Sequence, residues 1–356
     1  MKFSKLILTA LLGSFFLFSC TDDDNGGNPL GDYDNGVLIL NQGGFGNGNA
    51  SVSYLSEDMN TFQNNIFSLV NPSIILGDTA QDIGFYNDLA YIVLNASNKI
   101  EVVNRYTMVH IATISTGLSN PRYIAFANGK GYVTNWGNGT NANDDFIAVL
   151  NLSNNSVAST ISVAEGPEKI IEEDNKLYVA HSGGFNYGNT ISVINTSTNT
   201  VATTITVGDV PNSLEEENGI LYVLCGGKSA WSGAESAGKL VKINLSTNTV
   251  SSSIDFAETT DHPSNLVIEN NRLYYTLDSD IFRMNLSANT IPTEALFSTT
   301  SQGVYGVYSF AVENNRIYVG DALDYSSNGK VYVYSLTGAL LSSKTVGVIP
   351  AGFYFN

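Results

Sequence analysis

The sequence predicts an all-β chain folded as a seven-bladed β-propeller, its closing blade shared by the N- and C-terminal strands. A Leu-Tyr-Val-like strand recurs with its tyrosines at Tyr91, Tyr132, Tyr178, Tyr222, Tyr274 and Tyr318, spaced 41, 46, 44, 52 and 44 residues apart. That period suits a four-stranded blade. No stretch carries the 3.6-residue apolar period of a long amphipathic helix. Each end of the chain also holds part of one further repeat, and the two parts complement each other.

The elements follow in chain order. Residues 1–19 hold Lys2 and Lys5 and then an apolar run from Leu6 to Phe18, too short for a stable membrane span and read as a secretion signal. Leu17-Phe18-Ser19-Cys20 resembles the lipobox of bacterial lipoproteins, in which the cysteine becomes the acylated N-terminus; Phe18 departs from the usual small residue there. Residues 20–32 contain Asp22-Asp23-Asp24 and almost nothing to bury, and read as a flexible acidic tether. With Cys20 lipidated, Cys225 is the only thiol left, so no internal disulfide is expected and stability must come from burial. Residues 33–356, in a chain that is 43% hydrophobic, are long enough to supply that core.

The propeller opens on three expected strands, residues 37–41, 50–55 and 62–67, which lack an innermost partner. Six whole repeats then fill residues 81 to about 346. The third shows its strands most plainly, at residues 168–172, 176–180, 190–195 and 201–207, each bounded by turn residues. The last segment, residues 351–356, has the look of the missing inner strand. Together the ends make a seventh blade that removes open sheet edges. Six blades plus a capping hairpin is the alternative count.

In such a blade the loop between the second and third strands emerges on the same face as the link to the next blade. The opposite face carries short, uniform turns such as Asp174-Asn175 and Asn270-Asn271, which hairpin chemistry explains. On the link face, five loops are long and rich in Gly, Asn and aromatics: residues 42–49 with Phe45, 135–145 with Trp136, 181–189 with Phe185 and Tyr187, 226–238 with Trp231, and 321–329 with Tyr325. Aromatics on polar loops suit recognition. The links add Asp78, Arg122, Glu168, Asn212, His262, Asn265 and Tyr305. The candidate ligand-binding residues are therefore Asn41, Phe45, Asp78, Arg122, Trp136, His181, Phe185, Tyr187, Trp231, His262 and Tyr325.

Signals for chemistry are sparse. His110, His181 and His262 are too loosely spaced for a zinc motif. Residues 138–145 offer oxygen ligands but not the ordered acidic pattern of a calcium loop. Gly43-Gly44-Phe45-Gly46 is not followed by the Lys-Ser/Thr of a phosphate loop, and Cys225 has no paired histidine motif. No metal, cofactor or catalytic group is expected. The formal charge of −17, deepened to −19 without Lys2 and Lys5, would repel nucleic acid and anionic headgroups, leaving the lipid as the only membrane attachment.

Tyr132-Val133-Thr134-Asn135, Ile191-Ser192-Val193-Ile194-Asn195 and Thr203-Thr204-Ile205-Thr206-Val207-Gly208 resemble the YVTN-type, YncE-like propeller family over about residues 80–346. A narrower likeness lies in Leu40-Asn41-Gln42-Gly43-Gly44-Phe45-Gly46, Asn49-Ala50-Ser51, Leu76-Gly77-Asp78-Thr79-Ala80-Gln81-Asp82 and Pro350-Ala351-Gly352-Phe353-Tyr354. These phrases are similar to the Bacteroidetes surface propeller lipoproteins, which include cobalamin-capturing partners of TonB-dependent transporters. The acidic run after Cys20 likewise resembles their surface-export signal. The resemblance implies a lipid-anchored protein on the outer face of the outer membrane, binding a small-molecule ligand such as a corrinoid and passing it to a TonB-dependent transporter. The alternatives are a propeller lyase or hydrolase using His181 and His262, and a structural or adhesive surface protein.

Overall fold

A computed structural model describes residues 29–356; the expected signal at 1–19, the lipidation site Cys20 and tether residues 21–28 lie outside the described residues. Seven four-stranded antiparallel sheets make up the propeller. The inner strands, in ring order, are Ala80–Tyr86, Pro121–Ala127, Pro167–Glu173, Pro211–Glu217, Ser264–Glu269, Ser309–Glu313 and Pro350–Phe355. The last belongs to a blade ordered Pro350–Phe355, Gly36–Asn41, Ser51–Ser56, Phe62–Gln63. Chain ends thus meet inside one sheet, with Leu38 opposite Tyr354 and Ile39 opposite Phe353.

The blades stack through apolar faces, and the recurring tyrosines show why the repeat needs that residue type. Each is nearly or fully buried, and a buried phenol requires a hydrogen-bond partner. Tyr91, Tyr132 and Tyr178 donate to the side-chain carbonyls of Asn155, Asn199 and Asn248 at 3.1, 3.0 and 3.0 Å. Each of those asparagines sits in the outer turn of the following blade with φ of 49°, 53° and 53°, the left-handed region that Asn tolerates. In three successive repeats the tyrosine therefore pins the next blade's turn.

The expected strand over residues 62–67 is a correction. Only Phe62–Gln63 pairs; a short helix, Ile66–Val70, follows. Asn65 has φ 57°, which ends an extended run, and the turn drives Ile66 and Phe67 into the core. Burial of those two side chains outweighs the β-propensity of the segment.

Candidate functional site

Every inner strand enters the ring from the link face, and in six of the seven the register slips near its first residues. A regular strand sends only alternate side chains to one side. The bulge adds a residue there and re-aims its neighbour. Consecutive residues consequently line the channel: Arg122 with Tyr123, Asn212 with Ser213, Ser264 with Asn265.

The central channel holds a cavity of about 560 Å³, within the range of small-molecule sites. Arg122 stands at its mouth and donates through Nε and Nη2 to Glu168 at 2.8 and 2.7 Å, a bidentate pair that fixes the guanidinium plane. Deeper in, Lys169 Nζ lies 4.0 Å from the centre of the Tyr123 ring. Asp82 accepts the Ile124 N–H at 3.0 Å and the Tyr354 hydroxyl at 3.0 Å. Burial disfavours the Lys169 ammonium, but Tyr123 and the carboxylates of Asp82, Glu168 and Glu215 outweigh it and raise its pKa. Burial also raises Asp82 and pushes Glu215 up to about 8 against the pull of Lys169. Asp82, Lys169 and Glu215 are each half-buried, so channel water reaches them.

Around the mouth rise the long loops. Trp231 is 96% exposed, Phe45 82%, Tyr305 81%, Phe185 76%, Tyr325 60% and Tyr187 43%. The loops bearing Phe45 and Trp231 are held from below rather than by their rings. Asp78 accepts the Gly46 N–H at 2.8 Å, which fixes the loop bearing Phe45. Ser236 links the Lys228 N–H to Asp209 at 2.9 and 2.9 Å, closing the base of the loop that lifts Trp231 on the turn Ala230–Ser232.

Two aromatic relays join rim to channel. Phe185 meets Trp136 edge-on at 5.7 Å, and the Arg122 guanidinium lies 4.1 Å from the Trp136 ring. Gly139 permits the first contact, since a Cβ there would collide with the Phe185 ring. On the other side Tyr325 packs on Tyr308 at 5.8 Å, whose hydroxyl donates to Gln42 Oε1 at 2.6 Å. Trp136 is half-buried and so positions Arg122 rather than standing free at a loop tip.

Three of the remaining candidates are taken up by the scaffold. Asn41 is fully buried and donates to Ser53 Oγ at 3.0 Å and Ser51 Oγ at 3.2 Å. His181 is 1% exposed; its Nδ1 faces the Glu165 carbonyl at 3.3 Å, so that nitrogen carries the proton and Nε2 accepts the Ser192 hydroxyl at 2.8 Å. Burial lowers its pKa to about 4, leaving it neutral. His262 donates from Nδ1 to the Gly226 carbonyl at 2.8 Å, with Nε2 3.3 Å from Glu235. The two imidazoles share no partner. The channel residues Lys169 and Glu215, by contrast, are not among the residues that the sequence singles out; the one signal is a charged residue two to four places after the strand-opening prolines Pro167 and Pro211.

A family model described as "Domain of unknown function (DUF5074)" matches residues 35–355. No curated protein matches the chain significantly. Among solved structures, a functionally unknown protein from Desulfotomaculum acetoxidans is 12% identical at TM-score 0.65, covering 90% of this chain and 98% of that one. A quinonprotein alcohol dehydrogenase-like protein from Bacteroides thetaiotaomicron is 13% identical at TM-score 0.62, covering 91% and 78%. BamB from Moraxella catarrhalis is 16% identical at TM-score 0.52, covering 90% and 85%. At such identities the likeness carries the fold and nothing of those proteins' functions.

Proposed function

The chain belongs to the DUF5074 family over residues 35–355, and from that premise and the form of its link face we propose that it is a non-enzymatic receptor for a bulky polar-aromatic solute. The observation that carries this reading is the asymmetry of the two faces. One bears short turns with paired left-handed residues, such as Asp174 and Asn175 at φ 51° and 59°. The other holds six exposed rings around a polar mouth. Monomeric proteins seldom expose clustered apolar surface without a binding role, and rigid aromatics give large contact area at small entropic cost.

A corrinoid is the leading ligand, supported by the likeness of residues 40–46, 76–82 and 350–354 to the cobalamin-capturing lipoproteins. A macrocycle of that breadth would lie across the aromatic rim rather than descend the channel. On the same likeness the receptor is lipid-anchored at Cys20, displayed on the outer membrane, and hands its cargo to a TonB-dependent transporter. Cys20→Ala should move the protein from the membrane fraction to the soluble fraction; unchanged membrane retention would sink the anchor.

The ligand assignment is tested by calorimetric titration of residues 30–356 with corrinoids, haem, siderophores and oligosaccharides. One saturable ligand recovered unchanged after incubation is the expected result. Conversion of that ligand to a product would make the protein an enzyme instead.

A further inference from the structure

We propose that the central channel is a second binding site, separate from the aromatic rim, for a small zwitterion bearing an apolar substituent, of the size of an aromatic amino acid. The inference goes beyond the rim reading and does not depend on it.

Two groups in the channel have unused hydrogen-bonding capacity. Among the described residues, Lys169 Nζ has no hydrogen-bond or ion-pair partner and lies over the Tyr123 ring, and the Glu215 carboxyl likewise has no partner. Both line the same cavity of about 560 Å³. The other polar groups are already engaged: Arg122 by Glu168, Asp82 by Tyr354 and the Ile124 N–H, and Asn212 by the Pro263 carbonyl. The Lys169 and Glu215 side chains are both half-buried, so channel water meets them in the free protein and a ligand carrying the complementary groups can take its place.

The charged groups stand on neighbouring inner strands, at Asp82, Arg122, Lys169 and Glu215. Across the ring the lining beyond Ser264 and Asn265 is largely apolar, with Val267, Phe310 and Phe353. Charge decides between ligand classes. A simple anion would bond Lys169 but face the carboxyl groups of Asp82 and Glu168; a simple cation would be accepted by the Glu215 carboxyl but face Lys169 and Arg122. A zwitterion answers both unused groups, adds no net charge to the channel, and turns its substituent to Phe310 and Phe353.

The test is a matched titration of residues 30–356 with phenylalanine, phenethylamine and 3-phenylpropionate, which remove one charge at a time. Phenylalanine should bind at least about tenfold more tightly than either analogue, the loss expected when one charged hydrogen bond is left unmade. Lys169→Met should erase its advantage over the amine, and Glu215→Gln its advantage over the acid, with near-ultraviolet circular dichroism showing both variants folded. Trp231→Ala should leave phenylalanine binding unchanged. No saturable binding of phenylalanine, or equal affinity for all three probes, would overturn the channel site. Loss of phenylalanine binding in Trp231→Ala but not in Lys169→Met would place the molecule on the rim, ending this inference and leaving the receptor reading intact.

Discussion

Removing residues 350–356 is expected to abolish cooperative folding. The strand Pro350–Phe355 is the inner strand of the closing blade, paired along Gly36–Asn41. Its loss would expose the edge of a strand whose six residues are all buried. Phe353 and Phe355 pack on Tyr318 at ring distances of 5.7 and 5.2 Å. Asn356 ties the seam to the first blade, donating to the Tyr33 carbonyl at 2.7 Å and the Arg105 carbonyl at 3.0 Å, while Arg105 donates to the Phe355 carbonyl at 2.8 Å. At about 1 kcal/mol for each of its half-buried aromatics and about 1 kcal/mol for each hydrogen bond, the strand contributes an amount comparable to the ~5–15 kcal/mol net stability of an ordinary domain. The unpaired edge left behind would also template association. A truncated protein that stays monomeric and keeps its thermal transition would refute closure by the chain ends.

The second large effect lies in the channel. Glu215 ordinarily titrates near 4.5, and burial raises it to about 8 in the folded state. A group whose folded pKa is raised contributes stability that is fully present below the unfolded value and lost as pH climbs through the folded one. The wild type should therefore lose stability from this group between about pH 4.5 and pH 8. Glu215→Gln removes that loss. At about 1.4 kcal/mol for each tenfold change in proton affinity, reduced by channel water and by the opposing charge of Lys169, the variant should be more stable by on the order of 2–4 kcal/mol at pH 9. The gap should close towards pH 4. Urea unfolding of both proteins at pH 4, 7 and 9 measures the difference directly, and a gap independent of pH would mean that Glu215 is not held neutral by burial.

The ring count and its seam were legible because both rest on regular chemistry. A tyrosine returning in six blades and two complementary chain ends suffice to count to seven. What Tyr91, Tyr132 and Tyr178 do was not legible, since the Asn155, Asn199 and Asn248 carbonyls they meet lie 64, 67 and 70 residues away. The helix at Ile66–Val70 was hidden by residues of high β-propensity, with only Asn65 to signal the break. At the site, the exposed rings Phe45, Phe185, Trp231 and Tyr325 could be found from loop composition alone. Asn41 and His181 read as rim residues because each ends a strand beside a loop, yet the last residue of a strand still lies in the blade's interior. Lys169 and Glu215 were missed for the opposite reason. Period-2 reasoning assigns one side of an inner strand to the channel, and the bulges near the mouth shift that assignment by a residue.

The receptor account turns on which face meets the ligand, and paired substitutions measure it most directly. Using the ligand identified by titration, Trp231→Ala should weaken binding about 10–100-fold, the effect of truncating a central aromatic anchor, and leave the thermal transition unchanged because the ring packs on nothing. Asn270→Ala, in a turn on the opposite face, should leave affinity as it was. Unaltered affinity in Trp231→Ala together with lost affinity in Asn270→Ala would contradict recognition by the link face.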